Sequence, residues 1–117
     1  MKDQANWFIT FQEEIEHARA ARQKGNEGMA RVCARRAAGA VIGEYFRLQN
    51  LPEASDSAYD RLRTLRKLPD LPPRVKEVAG HLVERVTPQH KLPFDADLIA
   101  DAEWLRNQLL SIYTQKP

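Results

Sequence analysis

Apolar residues recur every three to four positions along this chain, and this spacing limits the possible folds more than any other feature of the sequence. An α-helix has 3.6 residues per turn, so residues with this spacing share one face and can be buried together. We find no run of alternating apolar and polar residues, the pattern typical of a half-buried strand. The sequence therefore predicts an all-α protein.

The first two predicted helices end at clear stop signals. The first runs from residue 6 to about residue 24, where Gly25 tolerates the left-handed backbone that follows many helices. Asn26 is expected to cap the second helix, which continues to Asn50. Pro52 prevents it from going further, because proline lacks the backbone N–H that a helix interior needs.

Three more helices complete the chain. Ser55 is expected to cap a short third helix that ends before a proline-rich stretch. Pro73 suits the first turn of a fourth helix, which is predicted to continue to Val86. Asp95 or Asp97 then caps the final helix, and the sequence leaves open which of the two does so.

Short connections between the helices favour antiparallel neighbours, so we expect an up-and-down bundle of about five helices that forms a single domain over residues 1–117. One hydrophobic core should hold it together. The predicted core positions, in chain order, are Phe8, Phe11, Ile15, Ala18, Met29, Cys33, Ala37, Ala40, Val41, Glu44, Leu48, Ala58, Leu62, Leu65, Val75, Val78, Ala79, Leu82, Val86, Leu98, Ala102, Leu105, Leu109 and Tyr113.

Composition excludes several classes of protein. No apolar run approaches the ~20 residues of a membrane helix, and the N-terminal residues do not resemble a signal peptide. Cys33 is the only cysteine, which excludes an internal disulfide and a cysteine-based zinc cluster. A cytoplasmic protein without a cofactor or a membrane partner is expected. The net charge of +2 is too small to require a nucleic-acid partner.

The charges are unevenly distributed along the chain. The last helix is acidic, whereas the first two helices and their connection are basic, and Arg31, Arg35 and Arg36 are the candidate binding residues. The wider basic set is Arg19, Arg22, Lys24, Arg31, Arg35 and Arg36, and the acidic set is Asp95, Asp97, Asp101 and Glu103. Such a basic surface either binds phosphates or is simply solvated, and both readings stay open.

Two segments carry a resemblance to a known family. The run Ala-Arg-Ala-Ala-Arg-Gln-Lys-Gly at 18–25, followed by Ala-Arg-Val-Cys-Ala-Arg-Arg-Ala-Ala-Gly-Ala at 30–40, resembles the first two helices of HEPN domains. The resemblance continues through the loop Thr-Pro-Gln-His-Lys-Leu-Pro-Phe at 87–94 and the closing helix with Ala-Asp-Ala-Glu-Trp-Leu. It implies an all-helical fold that often forms homodimers.

Many HEPN domains are metal-independent ribonucleases with an arginine followed, after four to six residues, by a histidine. Arg85 and His90 fit this motif, and so do Arg74 and His81. We prefer Arg85 and His90 as catalytic candidates because they border the loop before the last helix. His90 would then transfer a proton while Arg85 stabilises the phosphorane. Alternatively, Arg85 offsets a helix dipole and His90 is a solvated loop residue.

The resemblance therefore implies two functions of different classes. The preferred one is a noncatalytic module that binds a nucleotide or a partner protein. The alternative is an endoribonuclease of toxin–antitoxin type that uses Arg85 and His90. The corresponding partners are a second copy of the chain, RNA or a nucleotide, and an antitoxin or a nucleotidyltransferase-like protein.

A remote alternative is a di-metal carboxylate bundle. Glu14 and His17 have the Glu-x-x-His spacing of such sites, and Glu77 and His81 lie one helical turn apart. Such a site needs further acids from two other helices, and the second helix offers only Glu44 near its buried stripe. Surface ion pairing is the simpler explanation of these residues.

Two glycines, Gly39 and Gly43, interrupt the predicted second helix. Each weakens a helix by about 1 kcal/mol relative to alanine, so a compensating contact is expected. Small residues let a second helix approach closely, either inside the bundle or across a twofold interface.

Overall fold

The computed structural model of the protein describes residues 6–52, 55–84 and 96–114, and within these ranges the side chains up to residue 110. These residues form five helices and no strand. The helices are α1 (Asn6–Gln23), α2 (Glu27–Leu48), α3 (Ala58–Lys67), α4 (Pro73–Val83) and α5 (Leu98–Thr114). The predicted all-α class and the number of helices are confirmed.

α2 is the central helix, because each of the other four helices packs against it. Gly25, with a φ of 79°, allows the sharp reversal that turns α1 into α2. The side-chain oxygen of Asn26 then accepts a hydrogen bond from the backbone N–H of Met29 at 3.0 Å. The predicted stop of α1 and the predicted cap of α2 are both confirmed.

The structure decides between the candidate caps of α3 and α5. Ser57, not Ser55, caps α3, and its hydroxyl accepts a hydrogen bond from the N–H of Asp60 at 3.4 Å. The hydroxyl of Ser55 instead accepts one from the N–H of Ser57, so it shapes the approach to the helix and the prediction is wrong by two residues. Asp97 caps α5 through the backbone N–H groups of Ile99 and Ala100. Asp95 lies outside the described residues.

α4 begins at Pro73 as predicted but is shorter than predicted. It ends at Val83, because the backbone of Glu84 is extended, with φ −69° and ψ 141°. Carbonyl groups at the end of the helix are hydrogen-bonded by Arg35 of α2 instead of by a further helical turn. Val86, which was predicted to be the last buried residue of this helix, lies outside the described residues.

A single core lies between the five helices, and its described side chains are all apolar. Most predicted core positions are buried, while Phe8, Ala40, Glu44, Leu48 and Ala58 are half-buried. The prediction that Met29 is buried is wrong, because its side chain is 45% exposed, whereas its neighbour Ala30 is fully buried. The side chain of Tyr113 is not among those described. The buried face of α2 is accordingly one residue out of register with the predicted stripe at its first turn.

The glycines of α2 allow α3 to approach within the same chain. A Cβ placed on Gly39 would lie 2.8 Å from the Cβ of Ala58 and 3.1 Å from its Cα. One turn further, the guanidinium of Arg61 fills the space beside Gly43 and donates a hydrogen bond to the carbonyl of Gly39 at 3.0 Å. Of the two explanations for these glycines, the structure confirms close packing inside the bundle.

This contact predicts that Gly39→Leu lowers the melting temperature. The larger side chain must push the backbone of Ala58 away, at a cost of roughly 1–3 kcal/mol. The matched control is Gly80→Ala in α4, where the added Cβ would meet only the flexible side chain of Arg66 at 3.4 Å or more. The control should gain up to about 1 kcal/mol from helix propensity. Equal melting temperatures for the Gly39 variant and the unaltered protein would contradict the packing described here.

Candidate functional site

The two candidate catalytic residues, Arg85 and His90, lie outside the described residues. The structure does describe Glu84, the residue directly before Arg85. Glu84 follows the last turn of α4, and its backbone is extended.

Arg35 of α2 holds this end of α4. Its Nε donates a hydrogen bond to the carbonyl of Leu82 at 2.6 Å, and its Nη2 donates to the carbonyl of Glu84 at 3.4 Å. The last carbonyls of a helix lack partners within the helix and carry partial negative charge, so a guanidinium is a favourable cap. Arg35 therefore joins α2 to the point where the candidate catalytic segment begins.

A tyrosine of α3 completes this corner of the bundle. The guanidinium carbon of Arg35 lies 4.8 Å from the ring centroid of Tyr59, and that of Arg63 lies 5.8 Å from it. Both distances are typical of cation–π contacts. We call Arg35, Tyr59 and Arg63 the arginine–tyrosine corner. It brings together cations of α2 and α3 beside the end of α4.

Sequence reasoning found only one member of this corner. Tyr59 and Arg63 are four residues apart on a helix, and this spacing predicts that they are neighbours. The position of Arg35 over the same ring depends on how α3 packs on α2, which no local pattern indicates. Tyr59 is half-buried and Arg63 is exposed.

The other two candidate binding residues are on α2. Arg31 lies one turn before Arg35 and is half-buried, while Arg36 is exposed. The positive charge of Arg31 also contributes to the lowered pKa of Glu27, although the hydrogen bonds from Arg22 contribute more. Arg31 and Arg35 share a face of α2, and Arg36 is turned about 100° from Arg35.

Two cations of the predicted basic surface form ion pairs with the acidic helix α5. Arg19 pairs with Glu103, and Arg22 pairs with Asp97 at 3.0 Å. Arg22 also forms a bidentate ion pair with Glu27, in which its Nε and Nη2 donate to the two carboxylate oxygens at 3.0 and 2.8 Å. The charges that are segregated along the sequence are therefore partly neutralised where α1 and α5 meet in the fold.

The Arg22 guanidinium lowers the pKa of both of its carboxylate partners. Its hydrogen bonds to Glu27 are the main cause of the lowered pKa of that residue. Burial alone would raise the pKa of Asp97, but the hydrogen bond from Arg22 and those from the backbone of Ala100 and Ile99 outweigh it. Both carboxylates are therefore charged at neutral pH, and Arg22 clamps the start of α5 to the α1–α2 connection.

The second Arg–His pair lies on the face of α4 that contacts α5. Nδ1 of His81 is 3.1 Å from the carboxylate of Asp101, and its Nε2 is 3.9 Å from that of Glu77. Arg74 pairs with Glu77 at 3.2 Å and lies over the ring of Trp104 at 5.6 Å. Both residues of the motif thus contribute to contacts that join or border the two helices.

Burial raises the pKa of Asp101, and the hydrogen bond from His81 acts in the opposite direction. The His81 and Asp101 side chains are only 21% and 14% exposed. A histidine held by a carboxylate can carry a proton between reacting groups, but here the pair also joins α4 to α5.

The described residues of the remote di-metal alternative do not form a metal site. Within residues 6–52, 55–84 and 96–110, no three side chains of histidine, cysteine, aspartate or glutamate are placed to hold a metal ion. Glu14 instead lies beside the buried Cys33. Burial, followed by the nearby charge of Glu14, raises the pKa of that thiol. This environment disfavours the reactive thiolate.

None of the helices in the described part of the chain has the length and apolar character required to cross a bilayer.

One solved structure resembles the whole arrangement. It is the crystal structure of an archaeal HEPN homologue, which aligns with a TM-score of 0.71 over 96% of this chain and 98% of that chain. The chain has a HEPN-like fold. Identity between the two sequences is 17%, so the likeness concerns the fold alone. No protein-family model matches the chain, and no curated protein matches it.

The HEPN-like bundle is predicted to lose stability in acid through Arg22. Glu27 and Asp97 have folded pKa values below their ordinary values of 4.5 and 3.8, so their contribution to stability is complete at neutral pH. This contribution is lost as the pH falls through the folded pKa values, which lie below 4.5 and 3.8. Arg22→Met should therefore cost on the order of 1 kcal/mol of unfolding free energy at pH 7 and much less near pH 3.

Urea unfolding of the two proteins across this range measures the difference. Arg36→Met is the matched control, because it removes an exposed cation of the same helix pair that has no carboxylate partner among the described residues. The control should show no such dependence on pH. The pKa of Asp101 is raised, so its contribution to stability changes with pH in the opposite direction. Asp101 is present in every variant, so this contribution cancels in the difference between variants. A constant difference between the Arg22 variant and the unaltered protein would contradict the clamp.

Proposed function

We propose that this HEPN-like bundle is a noncatalytic module that binds the phosphates of RNA or of a nucleotide beside the arginine–tyrosine corner, with Arg31, Arg35 and Arg36 as binding residues. The observation that carries the proposal is the fixed position of Arg35, whose guanidinium is held by the end of α4 and by Tyr59. A guanidinium held in place loses little conformational freedom when it binds a phosphate.

The Arg74 and His81 pair supports a noncatalytic role for the described part of the chain. Its ionisable groups contact Glu77, Asp101 and Trp104 and so belong to the packing of α4 against α5. A substrate would have to displace these contacts in order to reach His81.

The proposal predicts that Arg31→Gln combined with Arg36→Gln weakens RNA binding. Arg35 is left in place because it also caps α4. Each lost phosphate contact reduces the magnitude of the negative slope of log K against log salt by about 0.7 for a single strand, so the pair should reduce it by about 1.4. Fluorescence anisotropy with a labelled oligouridylate measures both the affinity and the slope. The matched control is Lys24→Gln combined with Arg47→Gln, which removes the same charge elsewhere. Equal binding by the two double variants would refute this assignment.

The second candidate function is the metal-independent endoribonuclease. One observation favours it: Arg35 donates a hydrogen bond to the carbonyl of Glu84, so the next residue, Arg85, follows directly on an anchored position beside the corner. A substrate strand bound by the arginines of α2 would then be near Glu84, the described residue that precedes this motif.

Incubation with a mixed RNA pool in the presence of a chelator separates the two functions. If the protein is a ribonuclease, His90→Ala and Arg85→Ala should each lower cleavage by ~10²–10⁴ without altering the fold. His81→Ala is the internal control. Loss of cleavage in His81→Ala but not in His90→Ala would move the site to Arg74 and His81. Equal cleavage by all three variants would identify a contaminating nuclease, and the binding module would then be the remaining candidate function.

A homodimer that buries part of α2 and α4 also stays a prediction. The small residues at Gly39 contact α3 of the same chain, so a dimer needs a different surface. Light scattering of the purified protein measures its mass directly. An antitoxin or a nucleotidyltransferase-like protein remains the expected heterologous partner.

A further inference from the structure

Three cations of α3 differ from Arg19 and Arg22 of α1 in their contacts. Arg63, Arg66 and Lys67 are all exposed, and no carboxylate among the described residues pairs with them. Arg19 and Arg22, by contrast, are paired with acids of α5 and α2. α3 therefore carries a group of three exposed cations without a described carboxylate partner, which the charge pattern of the sequence did not single out.

Arg66 and Lys67 extend the arginine–tyrosine corner along α3. Arg63 belongs to the corner through its contact with Tyr59. Lys67 lies one turn beyond it, a rise of about 6 Å, which is comparable with the spacing of neighbouring phosphates along an extended strand. Arg66 extends toward α4, where its guanidinium lies over Gly80. The row from Arg35 to Lys67 is thus longer than a single nucleotide.

We propose that Arg63, Arg66 and Lys67 form a binding surface for the backbone of single-stranded RNA, continuous with the corner at Arg35. This inference rests on the proposed function and names its ligand as a strand of several nucleotides. Such a strand can follow a row of cations because its phosphates are spaced along one flexible chain.

The surface fits RNA better than it fits a membrane. Amphipathic helices that lie on a lipid surface insert large apolar side chains between the headgroups. Among the described residues, the exposed large apolar side chains are Ile9 and Met29, and neither lies on α3. The exposed side of α3 therefore offers cations without an apolar face to insert beside them.

The test compares two triple variants of the full chain. One replaces Arg63, Arg66 and Lys67 with glutamine. The other, which removes the same net charge, replaces Arg19, Lys24 and Arg47 with glutamine. Both retain the buried core, and circular dichroism checks their folding. A fluorescein-labelled dodecamer of uridylate is titrated by anisotropy at roughly 50 to 200 mM salt, a range over which phosphate contacts strongly alter affinity.

The α3 variant should bind the dodecamer roughly tenfold more weakly or worse, and the magnitude of its negative salt slope should fall by about 2 because three phosphate contacts are lost. The control variant should bind within about twofold of the unaltered protein, because Arg19 and Arg47 already pair with Glu103 and Glu44, and Lys24 follows α1, which has no contact with α3 among the described residues. If the α3 variant binds as the unaltered protein does, the inference is overturned while the proposed function stands. If the unaltered protein binds no RNA, the inference is overturned, and the proposed function is overturned with it only if the protein also binds no nucleotide. Binding to phosphatidylserine vesicles but not to the dodecamer would also overturn the inference.

Discussion

The close approach of α3 to α2 at Gly39 determines the geometry of the whole candidate site. Because Gly39 has no Cβ, Ala58 at the start of α3 can lie directly against it. Tyr59 follows Ala58 in the chain, and Arg35 lies one turn before Gly39 on α2, so the same contact brings the ring of Tyr59 to the guanidinium of Arg35. A larger residue at Gly39 would separate the two helices and with them the two halves of the corner.

Arginines have different roles in this small bundle. Arg61 fills the space beside Gly43 and so belongs to the packing of α2 on α3. Arg22 clamps the start of α5 through Asp97 and Glu27. Arg63 remains exposed at the corner. A basic residue in the sequence is thus weak evidence for a phosphate site, because its role depends on which carboxylates and carbonyls the fold places beside it.

The likeness to the archaeal HEPN homologue extends over nearly the whole of both chains, yet it concerns the fold alone. The functional argument therefore depends on individual residues, and the strongest of these is Arg35. It joins α2, Tyr59 and the end of α4, so it relates the surface proposed to bind phosphates to the position from which Arg85 follows.

The sequence by itself determined the local features of this protein. Helix periodicity, the turn at Gly25 and the cap at Asn26 depend on residues a few positions apart, and all were predicted correctly. Ser57 was missed because two serines near the start of α3 could each serve as its cap. Only the tertiary structure decided which surfaces meet. Arg19 and Glu103 are distant in sequence, as are Arg35 and Tyr59, and their contacts arise from the packing of whole helices, which local spacing does not encode.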